Sequence, residues 1–234
     1  MLVVKTAGAW LWPLLAWGRS WRAVLWGVLV AAGLALATLP WIGIEAWAAY
    51  ASHLPNLATM PERTVTAYQT VTSLFGHLFL YHPTWNPAPV VHCPLLATAL
   101  TLGVLGGSLA LSARYERRSP ALSLALCAAL LVTNAPVAEG HHYLLVLPSL
   151  LVAAWHAWRC GLDWRAWAAL LVAALLTGAP LPYGSARLQA GWLAILAYPR
   201  VYGAYLLWAW LCRQAGSPGV RSRREERPSA VRTA

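Results

Sequence analysis

The chain is a series of apolar runs separated by short polar connections, and that alternation limits what it can fold into. Seven runs stand out, at residues 2–17, 23–44, 89–112, 121–137, 141–158, 165–183 and 192–212. A helix crossing the hydrocarbon core needs about 20 predominantly apolar residues. Only helices or closed barrels satisfy every backbone polar group inside lipid. The residues are 59% apolar and 10% charged, against about 25% charged in an ordinary soluble domain. The expected fold is all-α: a polytopic transmembrane bundle of about seven helices over residues 1–212.

The connections differ in charge. Arg19 and Arg22, then Arg114, Arg117 and Arg118, then Arg159 and Arg165, then Arg213 and the basic tail form one set. Arg63, Arg187 and Arg200 are spread over the longer remaining connections. The positive-inside rule places the first set in the cytoplasm, with the N-terminus outside and the C-terminus inside, in the cell membrane. The net charge of +10 follows this membrane pattern rather than a nucleic-acid-binding face, so no nucleic-acid partner is expected. Trp17, Trp21, Trp155, Trp158, Trp164 and Trp167 fall near the cytoplasmic connections, as indoles at a membrane interface do. Residues 213–234, rich in Arg, Ser, Pro and Gly, lack the apolar content for a core. They are expected to be a disordered tail near lipid headgroups. Residues 1–17 with Lys5 loosely mimic a signal peptide, but no small-residue cleavage site leads into polar sequence. They read as a further transmembrane helix.

Residues 45–88 form the one long polar connection, on the outer side. Segments 45–54 and 64–80 carry apolar residues at helical spacing, among them Val65, Tyr68, Val71, Leu74, Phe75 and Leu78. Amphipathic helices lying along the outer interface are expected there. His53, His77, His82, His92, His141 and His142 fall on this side, as do Glu45, Glu62 and Glu139. Titratable groups near membrane depth cost free energy unless they face protein or water, so their clustering predicts an outward-facing cavity. Cys93, Cys127, Cys160 and Cys212 are scattered and form no C-x-x-C pair, so neither a disulfide framework nor a metal site is expected.

The sharpest local feature is Asn134-Ala-Pro-Val-Ala-Glu-Gly-His-His-Tyr143. Pro136 ends one helix and Gly140 permits a turn. Glu139, His141, His142 and Tyr143 then begin the next helix, where free N–H groups favour anions. One reading has these residues capping a turn at the headgroup layer. The other has the imidazoles binding a phosphate or moving a proton. Arg63, Arg187 and Arg200 either snorkel to headgroups or hold a lipid-linked phosphate.

The turn Pro136-Val-Ala-Glu-Gly-His-His-Tyr-Leu-Leu-Val-Leu-Pro148 resembles a late outer turn of glycosyltransferase family 87, with Glu139 where that family often has Trp. Lys5 to Pro13 followed by Arg19 to Arg22, and Tyr68-Gln69-Thr-Val-Thr-Ser73-Leu74, are similar to two further segments of that family. The resemblance implies a polytopic mannosyltransferase-like enzyme of the C-type superfamily, using a polyprenyl-phosphate sugar donor on the outer face and no cofactor. It implies that His141, His142, Tyr143, Gln69, Arg63 and Arg187 serve the donor phosphate and substrate. In the superfamily the base is an aspartate of the first outer loop. The one aspartate here, Asp163, is expected to be cytoplasmic. The resemblance therefore implies the C-terminal half of such an enzyme, lacking the catalytic aspartate and inactive alone: a fragment with its N-terminal half encoded upstream, a truncated gene product, or a split subunit completed by a partner chain. Glu139 is the candidate substitute base. A non-catalytic membrane subunit or scaffold for lipid-linked sugar is the alternative.

Overall fold

The computed structural model describes residues 21–57, 59–115 and 120–216. The first expected span, Lys5, Arg19, Arg117, Arg118 and the tail beyond Gly216 lie outside these residues. The described residues form eight α-helices and no strand. They are α1 (Trp21–Ile42), α2 (Ile44–Leu57), α3 (Val71–Phe79), α4 (Pro94–Tyr115), α5 (Pro120–Leu130), α6 (Leu147–Arg159), α7 (Trp164–Gly178) and α8 (Pro199–Gly216). Short 3-10 turns occupy Pro61–Thr64, Gly140–Val146, Ala186–Leu188 and Gly191–Ala197.

The helix limits have local causes. Gly43, at φ 82°, separates α1 from α2. Thr70 caps α3 by accepting from the Ser73 N–H at 3.1 Å. Asp163 caps α7 by accepting from the Ala166 N–H at 3.1 Å. The only aspartate of the chain thus has a structural task. Pro94, Pro148 and Pro199 stand in the first turns of α4, α6 and α8, where a missing N–H costs nothing.

Among the described residues two helices, α1 and α4, are long and apolar enough to cross a membrane, with mean hydropathies of 2.0 and 1.8. The other apolar runs divide. Residues 121–137 give an 11-residue helix followed by non-helical chain to Glu139. Runs 141–158 and 192–212 each begin as a 3-10 turn before becoming α-helical. Segment 64–80 is helical only over Val71–Phe79. That helix is largely buried, rather than lying along an interface, because its small and apolar residues pack inside the fold.

Helices α5 to α8 enclose one core, with Leu126, Val132, Val146, Ala173, Leu207 and Leu211 at its centre. A second cluster joins Val71, Leu74 and Leu78 of α3 to Ala97, Ala197, Tyr198 and Val201. Close helix approach depends on small residues: a Cβ on Gly203 would lie 2.8 Å from side-chain atoms of Leu176 and Thr177. Buried polar groups bond between elements. Ser149 donates to the Ala125 carbonyl at 2.8 Å, and Asn134 joins Ser108 of α4 to Tyr205 of α8. Such packing and hydrogen bonding suits helices whose outer faces meet lipid. Leu102, Leu124, Leu151, Leu171 and Leu175 are exposed on those faces.

The arginine-bearing ends gather at one pole. His156 near the end of α6 meets Trp210 of α8 at 6.2 Å, and Tyr115 at the end of α4 lies beside Gly216. The α6–α7 hairpin carries exposed Trp155, Trp158, Trp164 and Trp167, with Arg159 over Trp155 and Arg165 over Trp164. The long connection and the Asn134–Tyr143 turn occupy the other pole.

Candidate functional site

A backbone strap organises that second pole. Residues Tyr68 to Val71 run antiparallel to Thr133 to Glu139: the Gln69 N–H donates to the Ala138 carbonyl at 3.0 Å and the Val71 N–H to the Thr133 carbonyl at 2.9 Å. Beneath it, the buried Tyr143 hydroxyl donates to the Gln69 carbonyl at 2.6 Å. Gln69 is fully buried, and its amide donates to the carbonyls of Thr66 and Ala197 at 2.7 and 2.9 Å. Gln69 and Tyr143 therefore fasten the long connection to the rest of the fold.

His142 has a local task as well. The Glu139 N–H donates to His142 Nδ1 at 3.0 Å, closing the start of the 3-10 turn. His141 points outward and meets the Glu139 carboxylate at 3.3 Å. Both side chains are more than half exposed, so this pair adds little stability.

Arg200, at the start of α8, faces the turn. Its guanidinium donates to the Gly140 carbonyl and lies over the rings of Tyr143 and Tyr183 at 5.7 and 5.5 Å. Its Nε is buried without a hydrogen-bond partner, and no carboxylate pairs with it among the described residues. Gly140 provides room for this arrangement: a Cβ there would come 3.0 Å from Arg200 Cζ and 3.2 Å from the Tyr183 hydroxyl. Its φ is not in the left-handed region, so space, rather than the turn itself, requires glycine.

Two clefts meet at Gly140. One, of about 450 Å³, has Arg200, His141 and Thr177 above Leu144, Leu147 and Leu150. The other, of about 600 Å³, holds the two carboxylates Glu62 and Glu139 with the aromatic rings of Tyr68, Trp85 and Tyr183, and Gln189. Gln189 is braced from behind. His77 Nε2 lies 3.2 Å from its carbonyl, which only accepts, so that nitrogen carries the proton. His77 Nδ1 lies 3.1 Å from the Tyr198 hydroxyl. Burial pulls the His77 pKa below the ordinary imidazole value, partly opposed by the Gln189 bond.

The anticipated residues are thus distributed rather than gathered at one point. Glu139 and His141 line the joined clefts, while His142, Tyr143 and Gln69 hold their walls. Arg63 lines a separate cleft beyond the strap. Arg187 is exposed on the Ala186–Leu188 turn and lines none of the three. Sequence reasoning placed Arg200 among the outer arginines without joining it to the turn, and it did not single out Tyr183. Their partner Gly140 is 60 residues from Arg200, so no local spacing signals the contact. Among the described residues no group of three or more His, Cys, Asp or Glu side chains could hold a metal ion.

Against known proteins, the model of glycosyltransferase family 87 matches residues 1–136. That range contains the Lys5–Arg22 and Tyr68–Leu74 segments and reaches Pro136, where the Glu139–Tyr143 turn is still to come. No curated protein and no solved structure matches the chain.

Proposed function

We infer the function from one premise: this chain belongs to glycosyltransferase family 87. Membership of that family supports a membrane glycosyltransferase, and two long apolar helices among the described residues agree with a membrane location. We propose that it transfers mannose from a polyprenyl-phosphate donor on the outer face of the cell membrane, with the N-terminus outside and the arginine-bearing pole in the cytoplasm.

The observation that carries this reading is the Arg200 cleft. A cation without a carboxylate partner among the described residues stands beside leucines, in a cleft that meets at Gly140 a space with two carboxylates. That sequence of surfaces suits a phosphate between an isoprenoid chain and a sugar. Arg200 and His141 hold the phosphate by charge-assisted hydrogen bonds, the chain lies along Leu144, Leu147 and Leu150, and the sugar enters between Tyr68, Trp85 and Tyr183. Sugar rings suit such walls, which offer apolar faces with polar tips.

In the transfer, an acceptor hydroxyl oxygen forms the new bond to the sugar C1. The bond from C1 to the phosphate oxygen breaks, and its electron pair leaves on the polyprenyl phosphate, whose charge Arg200 stabilises. The hydroxyl proton passes to a carboxylate. Glu139 is the base in this scheme, and Glu62 is the other carboxylate facing the same space. Gln69, His142 and Tyr143 act as positioning residues.

The test is transfer of labelled mannose from polyprenyl-phosphate-mannose by membranes containing the full chain, its Glu139→Gln variant or its Glu62→Gln variant. Transfer by the intact chain that collapses in one variant supports the reading. Equal transfer by all three contradicts the carboxylate mechanism. Donor binding without any transfer by the intact chain favours a non-catalytic subunit that handles lipid-linked sugar.

A further inference from the structure

Across the strap from Arg200 lies a cleft of about 410 Å³ that donor binding leaves unused. Its head is Arg63, on the Pro61–Thr64 turn. Below come Thr72 of α3 and Thr98 and Thr101 of α4, then Leu102 and Leu105. Positions 98, 101, 102 and 105 share one face of α4, because residues three and four apart stack on a helix. The hydroxyls lie toward the start of α4 and the leucines farther along. Along α4, a helix long enough to cross a bilayer, the wall therefore passes from hydroxyl to hydrocarbon, and Gly76, Leu80, Ala97, Asn134 and Pro136 complete the lining.

Arg63 is half-buried, and among the described residues its side chain has no hydrogen-bond or carboxylate partner. Burial also pulls its pKa below the ordinary guanidinium value, although it stays charged at neutral pH. A partly desolvated cation without a counter-charge is costly, and a bound anion removes that cost. The graded wall specifies what the anion is attached to. A free phosphate uses only the head of the cleft, whereas an amphiphile with a phosphate head also covers Leu102 and Leu105.

We propose that this cleft is a second lipid site, which takes the phosphate of a membrane phospholipid through Arg63 and is separate from the donor's site. It shares no lining residue with the Arg200 or carboxylate clefts: Asn134 and Pro136 of the strap line this one, whereas Tyr68 and Glu139 line the carboxylate cleft. The Pro61–Thr64 turn borders both compartments: Glu62 lines the carboxylate cleft and the next residue, Arg63, lines this one. The distinctness of the two sites rests on the proposed donor site; the binding of a lipid phosphate does not.

The experiment uses the full chain in neutral-lipid nanodiscs doped with dioleoyl phosphatidic acid, with retained lipid counted by native mass spectrometry. Dioleoylglycerol serves as the uncharged control. Phosphatidic acid is retained by the intact chain, about tenfold less by Arg63→Ala, and substantially by Arg63→Lys and Arg200→Ala. Dioleoylglycerol is not retained, and inorganic phosphate does not displace the lipid. Unchanged retention in Arg63→Ala overturns the proposal, as does displacement by inorganic phosphate alone. Polyprenyl phosphate displacing phosphatidic acid from the intact chain and from Arg200→Ala equally makes this the donor's own cleft, which also overturns it. The donor assignment fails by a different result: polyprenyl phosphate binding that Arg200→Ala leaves intact.

Discussion

The clefts on the two sides of the strap have the same ingredients and hold their cations in opposite ways. Arg200 is fixed before any ligand arrives, by the Gly140 carbonyl and two tyrosine rings. Arg63 has no such side-chain partner among the described residues. A fixed cation suits a reaction in which charge develops at one place, since no reorganisation is then needed as the bond breaks. A cation whose donors are all uncommitted suits binding, where the ligand completes the site. Under the proposed function, chemistry belongs to the Arg200 side and anchoring to the Arg63 side.

The strongest way to break that division is to remove the base. Glu139→Gln is expected to lower transfer by about 10²–10⁴-fold, measured with labelled donor. If Glu62→Gln produces that loss instead, the base belongs to the turn that also carries Arg63, and the two sides cooperate in the chemistry. Next in size, Arg200→Ala is expected to lower kcat/KM for the donor by about 10²-fold, with Arg200→Lys partly restoring it. Arg63→Ala should leave the KM for the donor as it is; a rise there places the donor on the wrong side of the strap.

A smaller effect isolates pre-placement. Gly140→Ala puts a methyl group against the Arg200 guanidinium and the Tyr183 hydroxyl. About a tenfold loss of kcat/KM is expected, from misplacement of a charge that is still present. Phosphatidic acid retention at Arg63 should not change. The smallest effect concerns the brace behind Gln189. The folded pKa of His77 is lowered, so its contribution to stability is fully present above the unfolded value of about 6.5 and is lost as pH falls through that value toward the folded one. Thermal unfolding should show a lower Tm at pH 5.5 than at pH 7.5, and the difference should shrink in His77→Gln.

Much of the scaffold was legible in the sequence because its causes are local. Apolar length identifies α1 and α4, and the arginine clusters identify the pole where α4, α6 and α8 end. The prolines at 148 and 199 stand where the apolar runs change from 3-10 turn to α-helix. The strap was not legible. Its pairing depends on backbone groups, and Tyr143 reaches Gln69 across 74 residues. The burial of α3 was hidden for a related reason: His77 and Ser73 look like an exposed polar face until the Tyr198 hydroxyl meets the His77 ring and the Ser73 hydroxyl pairs with that of Thr70. Within the candidate site, the turn and its outward residues were visible as a motif. The division of Arg63 from Arg200 was not, since it follows from the strap.

The most direct test of the division is where the donor chain lies. Polyprenyl phosphate carrying a photoreactive group on its isoprenoid chain would be bound to the full protein in nanodiscs, irradiated, and its attachment mapped by peptide mass spectrometry. Labelling of Leu144 to Leu150 and Ala174 to Gly178, lost in Arg200→Ala, is the predicted result. Labelling of Thr98 to Leu105 that survives Arg200→Ala and disappears in Arg63→Ala would contradict it.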